Sequence, residues 1–452
     1  MNQDLIAKLS HQYRGKKVLV VGLGLQGGGV GVARFFSRLG AAVLVTDQKS
    51  EVELNESISA LQNEDNIVYH LGGHERPDFL AADVIFKGPS VRWDMPEIKA
   101  AIAKNTPIEM ETVFFLRSCP LPVIGVTGTR GKSTTAAMIH FILAGAGKKA
   151  ALAGNVRGVS TINLLNNISL YEFVVLELSS WQLSAFHRKK ISPPAAVLTN
   201  FYPDHLNYYH SMDDYFYDKT AIFAYQSQFD ILIANKNLQE KITGCRPKSR
   251  LVYFSDHDFP ITLKNLTGRH NYENAQAAVH AAQWAGVEPY LALKSVAEFG
   301  GLPFRQQKIR EIGGVIFIND TTATTPIAAK AAIEAFAGWP TIAIMGGNSK
   351  NLPLGDLFPA LSKLQQLILL PGSFTDELVP FLETKRIAYI KPVFKTLAQA
   401  SAAAFKEAKK LRSAAPAQPV VVLFSPGATS FAQFKNEFDR GEIFNTIIAK
   451  LL

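Results

Sequence analysis

Residues 123–135 hold the clearest candidates for chemistry, in an apolar strand that breaks into a glycine-rich turn and then opens a helix. Gly128 and Gly131 allow the backbone to turn its N–H groups towards an anion, and the new helix offers its positive N-terminal end. Lys132 adds a point charge for the β- and γ-phosphates of a nucleotide, and the Ser133 hydroxyl stands where it can bind Mg²⁺. This stretch therefore predicts a phosphate-binding loop.

The spacing of this loop departs from the common P-loop pattern. Val126 stands five positions before Gly131, and the nearest glycine, Gly125, lies one residue further back. What remains is the tighter form Gly-Thr-x-Gly-Lys-Ser-Thr over residues 128–134. A glycine turn with a purely structural role is the alternative, which the Lys-Ser-Thr that follows disfavours.

Polar residues follow two further apolar runs of the same region. Glu177 ends the run 173–177, and an acid at the end of a strand that follows a P-loop strand is the Walker B arrangement, so Glu177 is a candidate Mg²⁺ ligand. The alternative is an edge carboxylate in water. His205 comes just past the run 195–200, and Lys219 lies fourteen residues later in an aromatic stretch. Taken alone, a histidine or a lysine is more often structural than catalytic.

A second glycine-rich turn lies near the beginning of the chain. Gly22, Gly24 and Gly27 form the pattern G-x-G-x-x-G after an apolar run, and Asp47 ends the next run twenty residues after Gly27. Such a carboxylate can accept hydrogen bonds from a ribose or from a base N–H. Three interpretations remain open: a dinucleotide site, a site for another nucleotide-linked ligand, and a structural turn. The loop 87–90 follows another apolar run and is expected beside the same ligand.

The rest of the chain alternates short apolar runs with helical stretches, which predicts buried parallel strands. Residues 268–274 open an alanine-rich helix over 275–285, and their polar side chains either contact a purine or cap the helix. Gly300-Gly301 then breaks the pattern. Four later runs end in polar or glycine loops, where open parallel sheets bind their ligands. These runs are 315–320, 341–347, 367–370 and 420–424.

Length and composition set the frame for these elements. A chain of 452 residues is too long for one core, and about 150 residues per domain suggests three. The sequence therefore predicts an α/β protein with a Rossmann-like N-terminal domain, a central P-loop domain and a Rossmann-like C-terminal domain. The expected boundaries are 1–108, 109–301 and 302–452.

Composition also narrows the class of protein. Hydrophobic residues make up 47% of the chain and charged residues 19%, so globular folding is expected. The two cysteines rule out a disulfide framework. The start shows neither a signal sequence nor a membrane segment, so we expect a cytoplasmic protein without a membrane partner. The formal charge of +9 comes from short basic clusters, which disfavours a nucleic-acid partner, and no heptad suggests anything beyond a monomer.

Several motifs together resemble the Mur ligases of peptidoglycan synthesis. Their order and spacing cover nearly the whole chain, and the 425–441 region looks most like the branch that adds D-glutamate. The motifs are residues 128–134, 176–180, 204–205, 268–274, 302–305 and 319–320. The resemblance implies that ATP phosphorylates the terminal carboxylate of UDP-MurNAc-L-alanine and that the amine of glutamate then attacks the acyl phosphate.

The resemblance also implies roles for individual residues. Catalytic roles fall to Lys132, Asn155, His205 and Lys219. ATP would contact Gly128, Thr129, Gly131, Lys132, Ser133, Thr134, Asn274, Arg305 and Asp320. The UDP-linked substrate would contact Gly24, Leu25, Gln26, Asp47, Ser90 and Asn155. Mg²⁺ would bind Ser133 and Glu177, with a second ion on His205 and on Lys219, the latter carbamylated. The amino acid would contact Thr324, Lys350 and Ser430.

Three positions depart from the pattern of this family. Thr322 stands where a lysine is expected, Glu437 where many members of the branch have phenylalanine, and Phe304 where histidine is common. Lys435 lies close in sequence and can replace the lost charge. L-Glutamate or another amino acid therefore stays open beside D-glutamate. Two other classes also remain: a nicotinamide dehydrogenase using the Gly22 fingerprint, and a nucleotide-binding module without chemistry.

Overall fold

The computed structural model describes residues 2–24, 27–156, 158–205, 208–264, 266–430 and 433–451. The predicted contacts at Leu25 and Gln26 lie outside these ranges. The chain forms three mainly parallel sheets, which confirms the α/β class. It divides into two compact units, the first with Met1–Phe201, Ser211–Ser255 and Ala277–Ser295, the second with Tyr202–His210, Asp256–Gln276 and Val296–Leu452.

The first sheet has five parallel strands in the order β3-β2-β1-β4-β5. Its strands are β1 (Lys17–Val21), β2 (Ala42–Asp47), β3 (Ile67–Leu71), β4 (Val84–Lys87) and β5 (Ile108–Glu109). Its helices are α1 (Asn2–Tyr13), α2 (Gly28–Arg38), α3 (Asn55–Ser59), α4 (Arg76–Ala81) and α5 (Pro96–Ala103). In register, Val21 pairs with both Thr46 and Lys87, so the loops after β1, β2 and β4 leave the sheet at one edge. Because β5 ends at Glu109, this sheet extends one residue past the predicted boundary.

The second sheet has six parallel strands in the order β11-β10-β9-β6-β8-β7. Its strands are β6 (Val123–Thr127), β7 (Ala150–Gly154), β8 (Phe173–Glu177), β9 (Ala195–Leu198), β10 (Ile231–Asn235) and β11 (Arg250–Phe254). The accompanying helices are α6 (Glu111–Ser118), α7 (Lys132–Gly145), α8 (Ser180–Lys189), α9 (Met212–Thr220), α10 (Gln239–Gly244), α11 (Arg269–Trp284) and α12 (Pro289–Ala297). Val126 of β6 pairs with Glu177, and Thr127 pairs with Leu198, so the glycine turn, the acid and the loop after β9 meet at one edge.

The third sheet has the order β12-β13-β16-β14-β15, and β12 runs antiparallel to β13. Its strands are β12 (Gln307–Ile312), β13 (Val315–Asn319), β14 (Thr341–Gly346), β15 (Gln366–Leu370) and β16 (Val420–Phe424). Its helices are α13 (Pro326–Ala335), α14 (Phe358–Leu361), α15 (Ser373–Thr384), α16 (Leu397–Ala414) and α17 (Glu437–Ala449). The antiparallel edge strand β12 is absent from the sequence prediction, because its residues are charged and at most partly buried.

Apolar burial follows the sheets. One cluster runs from the first sheet into the second and includes a group of edge-on aromatic rings formed by Tyr13, Phe36, Phe86 and Phe114. Two further clusters cover the two faces of the third sheet. Within the described residues, no helix is both long enough and apolar enough to cross a bilayer.

Candidate active site

The phosphate loop follows β6 directly, as predicted. Gly128 has a φ of 151°, and a Cβ at this position would lie 2.0 Å from the Thr199 hydroxyl oxygen, so only glycine fits. Gly131 takes the left-handed conformation at the start of α7, and as a glycine it offers no side chain to cap the helix. The first turn of this 14-residue helix is therefore directed at the loop.

The loop that follows β9 holds the phosphate loop in shape. The Asn200 carbonyl accepts from the Thr129 N–H at 3.1 Å, and its side-chain oxygen accepts from the Arg130 N–H at 2.8 Å. The Asn200 amide also donates to the Arg130 carbonyl at 3.0 Å. Sequence reasoning missed Asn200, although its place after a buried strand next to β6 is the signal that could have revealed it.

Two lysines converge on the carbonyls of this loop. Lys132 Nζ donates to the carbonyls of Gly128 and Thr129 at 3.2 and 3.1 Å. Lys219, from α9, is 1% exposed and donates to the Gly128 carbonyl at 2.8 Å, with its Nζ 4.7 Å from the centre of the Tyr215 ring. The structure thus brings two of the predicted catalytic residues to the same turn. An ammonium suits both neighbours of Lys219, a carbonyl oxygen and the face of an aromatic ring.

Glu177 and Asn155 form a direct pair at the carboxyl edge of the second sheet. Glu177 is 3% exposed, and its Oε1 accepts from the Asn155 amide at 3.1 Å. The Asn155 N–H also donates to the Glu177 carbonyl at 2.8 Å. A predicted Mg²⁺ ligand and a predicted substrate contact are therefore adjacent. Hard carboxylate and hydroxyl oxygens, such as those of Glu177 and Ser133, are the ligands that Mg²⁺ prefers.

Asp47 is turned inwards onto the N-terminal glycine turn. Its Oδ2 accepts from the N–H groups of Leu23 and Gly24 at 2.9 and 3.2 Å, and its Oδ1 accepts from the Lys49 N–H at 3.0 Å. The Gly24 carbonyl accepts from the Ser57 hydroxyl at 2.7 Å. In the structure, Asp47 thus stabilises the glycine turn. Its predicted contact with a bound base stays a prediction.

Ser90 is exposed on the loop after β4, and a buried lysine holds that loop. Lys87 is 3% exposed and donates to the carbonyls of Gly88 and Val91 at 3.2 and 2.8 Å. Burial, together with the nearby Arg188 charge, lowers the pKa of Lys87 to about 7. Sequence reasoning named this loop but assigned no role to Lys87.

In the second unit, Asp320 organises the loop after β13. Its Oδ2 accepts from the Ser425 hydroxyl at 2.8 Å, and its Oδ1 accepts from the Gln306 N–H at 3.1 Å. This places the turn containing Arg305 beside Asp320, and the predicted contacts of both residues with ATP stay predictions. Gln306 Nε2 also lies 3.2 Å from His270 Nε2. Burial lowers the pKa of His270 to about 4. Asn274 lies one turn further along α11 and is 4% exposed.

The predicted amino-acid contacts come together on the third sheet. Lys350 Nζ lies 3.4 Å from the Thr324 hydroxyl and 3.7 Å from Asp204 Oδ1. The loop of Lys350 pairs with the loop of Ser430 through reciprocal backbone bonds between Asn348 and Thr429, at 3.0 and 2.9 Å. Ser430 is 2% exposed, and its hydroxyl has no partner among the described residues. An unpartnered buried hydroxyl on a loop that pairs with the loop of a lysine suits a carboxylate ligand.

Arg440 ties these loops to α17. The guanidinium is 1% exposed and donates to the Thr321 hydroxyl, the Thr321 carbonyl and the Ala428 carbonyl at 2.8–3.2 Å. Burial lowers its pKa to about 10, against the charge of Glu437. Thr322, which replaces the expected lysine, donates instead to the Phe304 carbonyl at 2.9 Å. Sequence reasoning gave Arg440 no role, since nothing in the linear pattern marks it as buried.

His205 belongs to the second unit, whereas Ser133, Glu177 and Lys219 belong to the first. The residue has a positive φ of 56°, and its N–H donates to Asp204 Oδ1 at 2.9 Å. A non-glycine residue in this conformation is uncommon and often marks a functional position.

Comparison with known proteins agrees with these features. The model of the Mur ligase middle domain matches residues 126–259, and that of the Mur ligase MurD-like N-terminal domain matches residues 16–109. The UDP-N-acetylmuramoylalanine–D-glutamate ligase of Roseiflexus sp. (strain RS-1) is 34% identical, covering 97% of this chain and 99% of that protein. The chain belongs to the Mur ligase family. The resemblance seen in its motifs is thereby confirmed.

Other relatives and solved structures extend this Mur ligase comparison. The enzyme of the same name from Borreliella afzelii (strain PKo) is 32% identical, covering 96% of this chain and 97% of that protein. The structure of UDP-N-acetylmuramate-alanine ligase MurC from Thermotoga maritima aligns over 96% of this chain and 99% of that chain, with a TM-score of 0.60 and 19% identity. MurF ligase from the same organism, in complex with ADP, aligns over 98% of this chain and 97% of that chain, with a TM-score of 0.56 and 19% identity. The fold is that of the Mur ligases.

Proposed function

We propose that this Mur ligase uses ATP to join D-glutamate to UDP-N-acetylmuramoyl-L-alanine in the synthesis of peptidoglycan precursors. The observation that carries the proposal is the bond from the Asn155 amide to Glu177 Oε1. This bond places Asn155, which is assigned to the UDP-linked substrate, next to Glu177, the acid beside the phosphate loop. Two relatives that match this chain over nearly its full length are named as ligases of UDP-N-acetylmuramoylalanine and D-glutamate, which supports the choice of substrates.

The reaction proceeds through an activated carboxylate. A carboxylate oxygen of the L-alanine residue attacks the γ-phosphorus of ATP, the bond from that phosphorus to the β,γ-bridging oxygen breaks, and ADP leaves. The amine of D-glutamate then attacks the acyl carbon, loses a proton, and expels inorganic phosphate as the amide forms. Lys132 and the N-terminus of α7 stabilise the charge that develops during phosphoryl transfer.

Mg²⁺ would be held by Ser133 and Glu177, whose oxygen donors suit it, and would neutralise phosphate charge when bound. We also propose that His205 and a carbamylated Lys219 hold a second ion. Carbamylation replaces a cation by an anionic oxygen donor, which suits a hard metal ion. Activity should then fall when bicarbonate and CO₂ are removed, and full activity without them would refute the modification.

D-Glutamate brings two carboxylates, so its pocket must supply cations and hydroxyl donors. Lys350, Thr324 and the unpartnered hydroxyl of Ser430 provide both. We propose that these three residues bind the amino acid, and that Arg305, Asp320 and Asn274 complete the ATP site. The UDP moiety is assigned to the turn at Gly24 and Asp47 and to the loop of Ser90.

The remaining parts of the proposal concern organisation. We propose three domains, residues 1–108 for the UDP-linked substrate, 109–301 for ATP and 302–452 for the amino acid. We propose that the protein acts in the cytoplasm as a monomer and that its partners are small molecules alone.

The decisive assay is release of ADP with UDP-N-acetylmuramoyl-L-alanine and a panel of D- and L-amino acids. We expect ADP release to require both the UDP-linked substrate and an amino acid, and D-glutamate to give the highest kcat/KM. A better rate with L-glutamate would correct the amino acid alone. ADP release that ignores the UDP-linked substrate would contradict the ligase assignment.

A further inference from the structure

A partly buried carboxylate at the junction of the first and second sheets has no part in the reaction described above. Glu111 begins α6, directly after the last strand of the first sheet. Its Oε1 accepts from the Ser160 hydroxyl at 2.8 Å and from the Ile162 N–H at 3.0 Å. One side chain thus joins two residues of the segment that follows β7, Ser160 and Ile162.

The other face of this carboxylate meets the N-terminal glycine turn. A Cβ placed on Gly28, at the start of α2, would lie 3.3 Å from Glu111 Oε2. Ser160 is pressed against the same helix, since a Cβ on Gly31 would lie only 1.8 Å from its hydroxyl oxygen. The first two turns of α2 therefore accept Ser160 only because glycine is present there.

The segment 158–161 is coupled in turn to Asn155. The Thr161 hydroxyl oxygen accepts from the Gly154 N–H at 3.0 Å, and Gly154 directly precedes Asn155. Asn155 is fixed at its other side by Glu177. Hydrogen bonds, joined by short stretches of backbone, therefore connect Glu111 to Asn155. Removal of water around the carboxylate raises the pKa of Glu111 to about 7, as expected for a group enclosed by these segments.

We propose that Glu111 is a positioning residue for the UDP-linked substrate, because it fixes the segment 158–161 to α2 and so holds Asn155 in register with the glycine turn. The inference rests on the proposed function for the identity of the substrate. The anchoring itself is independent of it. Glu111 touches no reacting atom.

The kinetic test compares two variants. Glu111→Ala leaves the Ser160 hydroxyl and the Ile162 N–H without their acceptor, so the KM for UDP-N-acetylmuramoyl-L-alanine should rise about tenfold while the KM for ATP stays within about twofold. Glu111→Gln retains an acceptor oxygen and should recover most of the loss. Glu109→Gln is the matched control, since Glu109 pairs with Arg117 and Lys189 at 3.1 and 3.0 Å rather than with the segment.

Hydrogen exchange separates this inference from the proposed function. In the ligand-free full chain, Glu111→Ala should speed amide exchange in peptides that cover 154–162, and Glu109→Gln should not. If Glu111→Ala fails to fold, Ser160→Ala, which removes one donor, should give a smaller change of the same kind. Unchanged exchange, or equal rises in both KM values, would overturn the positioning role. An inactive wild-type chain with the expected exchange pattern would count against the proposed function alone.

Discussion

The phosphate loop after β6 and the loops at the edge of the third sheet are built in different ways. The first is a contiguous stretch in which Gly128, Gly131 and Lys132 stand next to each other in sequence and in space. The second assembles Asp320, Lys350 and Ser430 from three separate loops, and a buried Arg440 holds two of those loops together. A contiguous site can be recognised in a sequence, whereas a dispersed site depends on residues that only position others.

The largest effect should come from the contiguous site. Lys132→Ala should reduce ADP release by about 10²–10³-fold or more, because the proposed phosphate contact is lost. The fold should persist, because the side chain donates to the carbonyls of the phosphate loop and does not pack in the core. The matched control is Lys99→Ala on the exposed face of α5. Near-normal turnover of a folded Lys132→Ala protein would refute the role of this loop.

The dispersed site should lose stability when its anchor is removed. Arg440→Met leaves the Thr321 and Ala428 carbonyls without donors, which should cost about 2–4 kcal/mol of unfolding free energy. Arg310→Met offers a matched control, because Arg310 is exposed and donates to three carbonyls near the end of α17. Chemical denaturation should show a loss below about 1 kcal/mol there. Equal losses would mean that burial of Arg440 does not matter.

Lys350 tests whether the dispersed loops bind the amino acid. Lys350→Ala should raise the KM for D-glutamate about 10–100-fold, since a charged hydrogen bond is lost, and should leave the KM for ATP unchanged. Lys435→Ala asks whether that exposed lysine replaces the charge missing at Thr322. An unchanged KM for D-glutamate in Lys350→Ala would remove Lys350 from the pocket, and a selective rise in Lys435→Ala would add Lys435 to it.

The last effects concern pH, they develop only gradually over the titration range, and the two units should respond in opposite directions. Burial raises the pKa of Glu111 to about 7, so the native state binds more protons than the unfolded state and stability falls as pH rises from about 4.5 to 7. Burial lowers the pKa of His270 to about 4, so stability rises with pH between about 4 and 6.5. A shift of this size corresponds to about 3 kcal/mol across the full pH interval for each group.

Unfolding measurements across this range would separate the two groups. Relative to Glu111→Gln, the wild-type protein should lose stability as pH rises. Relative to His270→Gln, it should gain stability. If the difference in unfolding free energy between the wild type and either variant does not change with pH, the substituted group has the same pKa in the native and unfolded states.

Much of the fold follows from the sequence, because short apolar runs such as 173–177 and 420–424 become strands buried on both faces. The edge strands β3 and β12 cannot be predicted in this way, since their residues are partly exposed and form no long apolar run. The helix predicted over 275–285 begins earlier, at Arg269, because polar residues form its first turn.

The candidate site divides along the same line. Lys132, Glu177 and the loop of Ser90 can be located from strand ends alone. That Asp47 binds its own glycine turn, or that Asn200 shapes the phosphate loop, depends on hydrogen bonds between residues far apart in sequence. Arginine side chains are mostly exposed in proteins, so the burial of Arg440 could not be predicted from the residue type. It follows from the packing of α17 against the third sheet.

The central claim is that the phosphate loop activates a substrate carboxylate for attack by the amino acid bound at the third sheet. UDP-N-acetylmuramoyl-L-alanine labelled with ¹⁸O in both carboxylate oxygens tests it directly, with mass spectrometry of the released phosphate. An acyl phosphate transfers one labelled oxygen to each phosphate, so singly labelled phosphate is predicted in amounts equal to the amide product. Unlabelled phosphate released alongside the amide would contradict the account.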